Sequence, residues 1–81
     1  MAKLRTLSGK DLLRIFAEFG FSPFTQNGSH IKIRRVLPSG MRQSLTIVNH
    51  TSVDRGTLHA IYRQALRYIA ESDLRSHFYT D

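Results

Sequence analysis

HIKIRRVLPSGMRQSLTIVNH, residues 30–50, reads as two strands about a turn. Side chains alternate along a strand, so Ile31 and Ile33 point to one side while His30, Lys32 and Arg34 point to the other. After LPSG at 37–40, a turn signal, the pattern returns: Leu45 and Ile47 go inward, and Ser44, Thr46, Val48 and His50 go outward if the strand continues that far. The turn makes the two strands antiparallel neighbours and brings His30 and His50 toward one end of a sheet face. Arg35 interrupts the inner row, which predicts that the first of these strands leaves the core there.

Upstream, Pro23 restricts its segment to a strand start or a sheet edge. A short edge strand over Phe24–Gln26 and a tight turn at Asn27-Gly28 complete a three-stranded antiparallel sheet. Ser8 with Asp11 three residues later forms a capping-box pattern. Leu12, Ile15, Phe16 and Phe19 share one helical face, and Gly20 follows where a left-handed residue ends a helix, so a helix is expected over 9–19. Leu58, Ile61, Tyr62, Ala65 and Ile69 keep the 3.6-residue period in a last long helix, with Arg55, Arg63 and Arg67 off its apolar stripe. Phe16, Phe19, Phe24 and Tyr62 stand at core spacing, Phe21 and Tyr79 stay unassigned, and His59 and His77 read as surface residues. Residues 72–81 form a short turn anchored by Leu74 and Phe78, or a frayed tail. The expected architecture is α+β in the order α-β-β-β-α, with two helices on one face of the sheet, within a single domain over residues 1–81.

Twelve Lys and Arg against six acids give a formal charge of +6 among 81 residues. That excess favours a polyanion or an acidic protein as partner. There is no cysteine, hence no disulfide, thiolate metal site or thiol nucleophile. The start MAKLRTLSGKD lacks the apolar stretch of a signal peptide and no run could span a bilayer, so no membrane association is expected and the cytoplasm is the simplest address. Neither H-x-E nor paired carboxylates at ligand spacing occur, so no metal and no cofactor are expected.

His30 admits three roles: an inconsequential loop residue, a contact to RNA phosphate, or a proton carrier that cuts RNA. Histidine suits the last because its unperturbed pKa, about 6.5, lies near working pH. RNA brings its own nucleophile in the 2′-hydroxyl. Lys32 and Arg34 share the His30 side of the strand and can offset charge on the phosphate. Gly28 permits close backbone approach, and the amides of Gly28 and Ser29 can meet phosphate oxygens. His50, Arg63 and Arg67 are secondary candidates.

Several segments in order resemble the HicA family of toxins: Ser8-Gly9-Lys10-Asp11, Gly20-Phe21, Gln26 with Gly28-Ser29-His30, and Gly56-Thr57-Leu58 with Ile61, Arg63, Gln64 and Ala65. Ile31 stands where family members often carry a further histidine or an aromatic, and VNH at 48–50 replaces a proline-containing strand end. The resemblance implies a double-stranded-RNA-binding-like fold, an mRNA interferase with His30 as its catalytic histidine, and a HicB-like antitoxin. An acidic antitoxin surface laid over His30, Lys32 and Arg34 would compete with RNA for the same field. The alternative is a non-catalytic double-stranded-RNA-binding-type module of the same fold; an adaptor for an acidic protein is a third reading.

Overall fold

Residues 2–81 are described by a computed structural model. Along the chain lie β1 (Lys3–Leu4), α1 (Gly9–Glu18), β2 (Ser22–Asn27), β3 (His30–Val36), β4 (Arg42–Val48), α2 (Arg55–Ala65), α3 (Glu71–Phe78) and β5 (Tyr79–Thr80). The alternation in residues 30–48 translates directly into pairing. β3 and β4 run antiparallel without a register shift, with Ile31 opposite Ile47 and Ile33 opposite Leu45. All four are buried together with Leu12 and Phe16 of α1 and Leu58, Ile61 and Ala65 of α2. The helices therefore cover this face, and the other carries His30, Lys32 and Arg34. The fold is α+β around the antiparallel sheet β2-β3-β4, consistent with the α-β-β-β-α double-stranded-RNA-binding-like arrangement.

Three local expectations change. First, β2 begins at Ser22 and includes Pro23, and Asn27 pairs with His30, so the two-residue turn is Gly28-Ser29 rather than Asn27-Gly28. Gly28 alone takes positive φ (60°) there, the pattern of a turn with glycine at its first central position. Second, a bulge between Pro23 and Thr25 leaves Phe24 without a cross-strand partner, and its ring lies on the surface, not in the core. Third, β3 does not leave the core at Arg35. That half-buried side chain stays on the inner side and donates to the Phe19 carbonyl at 2.9 Å, the Tyr68 carbonyl at 2.8 Å and Gln43 Oε1 at 2.7 Å. It joins the ends of α1, β3, β4 and the segment after α2.

The ends of α1 follow its sequence closely. Ser8 accepts from the Asp11 amide, and Asp11 accepts from the Ser8 amide. Gly20 closes the helix at φ 89°. Gly9 is required for a different reason: a Cβ there would stand 2.6 Å from both the Asn49 Cα and the Val48 carbonyl, so the start of α1 sits directly on the end of β4.

The tail takes the ordered form. Leu74 and Phe78 of α3 are fully buried, and the Phe78 ring meets Phe16 and Tyr62 at centroid distances of 6.1 and 5.0 Å. The Tyr62 hydroxyl donates to Glu71 at 3.0 Å, and β5 pairs with β1. Both edges of the main sheet are blunted. On β2 the bulge and Pro23 interrupt the ladder; on β4 the Gln64 amide accepts from the Thr46 N–H at 3.0 Å and donates to its carbonyl at 3.3 Å. Among the described residues no helix is long and apolar enough to cross a membrane.

Candidate nucleic-acid interface

β3 sets its charged side chains by simple periodicity. His30, Lys32 and Arg34 occupy every second position of one strand, so successive members are roughly 7 Å apart on the open face. His30 and Lys32 are exposed and Arg34 half-buried. Their cross-strand partners are small or uncharged: Asn27 and Val48 beside His30, Thr25 and Thr46 beside Lys32, Ser22 and Ser44 beside Arg34. No acid occurs in the sequence between Glu18 and Asp54, a stretch that contains all three strands. The row consequently meets no carboxylate on its own sheet.

Hydrogen bonds fix the hairpin that bears His30. Gln26 Nε2 donates to the Gly28 carbonyl at 2.9 Å, and the Asn49 amide donates to the Ser29 carbonyl at 2.7 Å. Since Gly9 rests on Asn49 and donates its amide to the His50 carbonyl at 2.8 Å, the start of α1, the end of β4 and the turn before His30 form one connected unit. Arg34 is held by an aromatic: its Cζ lies 4.3 Å from the Phe24 ring centroid, a cation–π distance.

None of the secondary candidates extends the β3 row. β4 ends at Val48, so the alternation that would place His50 beside His30 stops two residues short. His50 instead lines a depression with Ser8, Lys10, Asn49 and Thr51 at the start of α1. Arg63 and Arg67 are exposed on α2 and the turn after it, which pack behind the sheet rather than on the His30 face. His59 and His77 are half-buried, not freely exposed. His59 Nδ1 lies 3.5 Å from the Tyr79 hydroxyl, and His77 sits edge-on to Phe19 with Nδ1 4.0 Å from Glu18.

Two features of this face were available in the sequence as weaker signals. One is the long acid-free stretch. The other is Phe24, adjacent to a proline that predicts an irregular edge and so a side chain outside the core.

No curated protein and no solved structure matches the chain significantly. The sequence model of the family described as HicA toxin of bacterial toxin–antitoxin matches residues 9–66. That span runs from the glycine seated on β4, through the three strands, to the residue just after α2. It covers well over half of the chain, and the chain belongs to the HicA toxin family of bacterial toxin–antitoxin systems.

Proposed function

We propose that this toxin is a metal-independent endoribonuclease that cuts mRNA, with His30 as general acid or base. The observation that carries the reading is the row His30, Lys32 and Arg34 on the open face of a sheet whose three strands hold no acidic residue. RNA supplies its own nucleophile. A proton must leave the 2′-hydroxyl, another must reach the departing 5′-oxygen, and charge accumulates on the phosphate between them. His30 moves a proton, Lys32 stabilises the anionic phosphate, and Arg34, farther along the strand, meets the phosphate of a neighbouring nucleotide. Gly28, with no side chain, and Ser29 let the strand approach the turn beside the imidazole.

A HicA toxin implies a cognate antitoxin. In our reading this is a HicB-like protein that presents acidic groups to His30, Lys32 and Arg34 and so excludes RNA.

The test compares wild type with His30→Ala on a labelled transcript, with and without chelator. Cleavage should fall by about 10²- to 10⁴-fold while RNA affinity and melting temperature stay close to wild type, and chelator should leave wild-type cleavage intact. Equal cleavage by both proteins rejects His30. Binding without cleavage by either returns the chain to a non-catalytic RNA-binding module.

A further inference from the structure

Phe24 has no part in the chemistry just described, yet this large apolar residue of β2 is 40% exposed. It stands at the bulge, without a cross-strand partner, on β2, an edge strand of the sheet. The Arg34 guanidinium lies over one face of the ring. Beside the ring, at the helix-side rim between α1 and β2, runs a groove lined by apolar Leu13, Pro23, Phe24 and Ile31 and by polar Lys10, Gln26 and Asn49. The groove adjoins the His30 turn, since Asn27 pairs with His30 and the Asn49 amide is bonded to Ser29.

From this placement we propose that the groove is a nucleobase subsite: an unpaired base of the RNA strand stacks against Phe24. The proposal rests on the ribonuclease reading above and adds how the strand is seated. A base is flat and apolar on its faces and polar at its edges. Phe24, Leu13 and Pro23 match the faces. The Gln26 and Asn49 amides offer donors and acceptors to an edge, and Lys10 supplies positive charge for the adjoining phosphate. Arg34 is four residues along β3 from His30, roughly 13 Å, so the stacked base belongs to a neighbouring nucleotide rather than to the one cut. Bases inside a duplex are already stacked on one another, so the substrate class is single-stranded or looped RNA. Stacking is tolerant of base identity, which makes this a seating device with modest sequence preference. Charge complementarity points to RNA as occupant: Lys10 lines the groove, Arg34 lies over the ring, the strands around it hold no acid, and each nucleotide brings a phosphate.

Affinity, not cleavage, tests the proposal. A short single-stranded oligoribonucleotide is titrated against the His30→Ala protein with and without Phe24→Ala, Phe24→Leu or Phe24→Trp. It is also titrated with one abasic nucleotide at each position in turn. Phe24→Ala and Phe24→Leu should weaken binding by roughly five- to a hundredfold, and Phe24→Trp should keep it. One abasic position should weaken the parent by a similar factor and have no further effect on Phe24→Ala. Melting temperatures should be unchanged, because Phe24 lies outside the core. Unchanged affinity in Phe24→Ala, or abasic losses that persist in it, overturns the subsite while leaving cleavage by His30 standing. Loss of antitoxin binding with RNA affinity intact assigns the groove to the antitoxin and overturns it too. Failure of cleavage with the Phe24 pattern intact rejects only the catalytic reading; a parent that binds no RNA rejects both.

Discussion

Arg34 and Arg35 are sequence neighbours with opposite assignments, because one step along a strand turns a side chain to the other face. Arg34 reaches the open side and stacks on Phe24. Arg35 turns inward, where its guanidinium serves two carbonyls from segments separated by the three strands and α2 and also bonds Gln43. An inward arginine in a two-residue period looks like the end of a buried strand, since charge is rarely buried unless paired. Its partners are backbone oxygens distant in sequence, which no local pattern announces. The neighbouring Phe21 ring, 4.8 Å from the Arg35 Cζ, completes its surroundings. Arg35→Ala should lower stability by roughly 2–3 kcal/mol, because it removes charge-assisted bonds and strands their acceptors. Arg35→Lys should recover only part, since an ammonium cannot span three acceptors in a planar fork. Urea melts of the three proteins decide this; full recovery by lysine would mean that charge alone, and not the fork, matters.

The start of α1 was legible because a cap is written within four residues. Ser8 and Asp11 satisfy each other's amides at α1, and Asp54 accepts from the Thr57 amide and hydroxyl at α2. These bonds hold both carboxyls below their usual range, through the Ser8 amide and hydroxyl at Asp11 and through the Thr57 hydroxyl and amide at Asp54. The sign follows. A carboxyl with a lower pKa folded than unfolded stabilises the fold above its unfolded value, near 3.9, and that contribution is lost as pH falls through the folded value. The melting temperature should therefore be flat from neutral pH to about 5 and decline below about 4. Asp11→Asn with Asp54→Asn should make the decline shallower, and an equally steep decline in the double variant would exclude the caps as its cause. Other elements lacked such local marks. Helix α3 has Ala70 at its N-cap with no side-chain bond, and its order comes from Leu74 and Phe78 packing on residues far back in the chain. The hairpin turn shifted by one residue because Gly28 can supply positive φ at either central position, and only the pairing of Asn27 with His30 selects between them.

Charge on the whole molecule is unevenly shared, and this bears on which surface meets RNA. The net +6 includes Lys32, Arg34, Arg35 and Arg42 in a stretch without a single acid, whereas the segment from Asp54 onward mixes Arg55, Arg63, Arg67 and Arg75 with Asp54, Glu71, Asp73 and Asp81. The row His30, Lys32 and Arg34 was readable from strand alternation alone. The separation of Arg63 and Arg67 from it was not, because which side of a sheet a helix covers is a property of the assembled fold. A phosphate contact has a thermodynamic signature independent of cleavage: each one releases counterions, and for single-stranded nucleic acid log affinity falls with log salt by about 0.7 per contact. Lys32→Ala should flatten that slope by about one contact and weaken binding to all sequences alike. Arg63→Ala, which alters the same net charge by the same amount behind the sheet, should leave the slope close to wild type. Fluorescence anisotropy across a salt series measures both. Equal flattening by the two substitutions would show that RNA responds to the protein's total charge, and the open sheet face would lose its claim to be the binding surface.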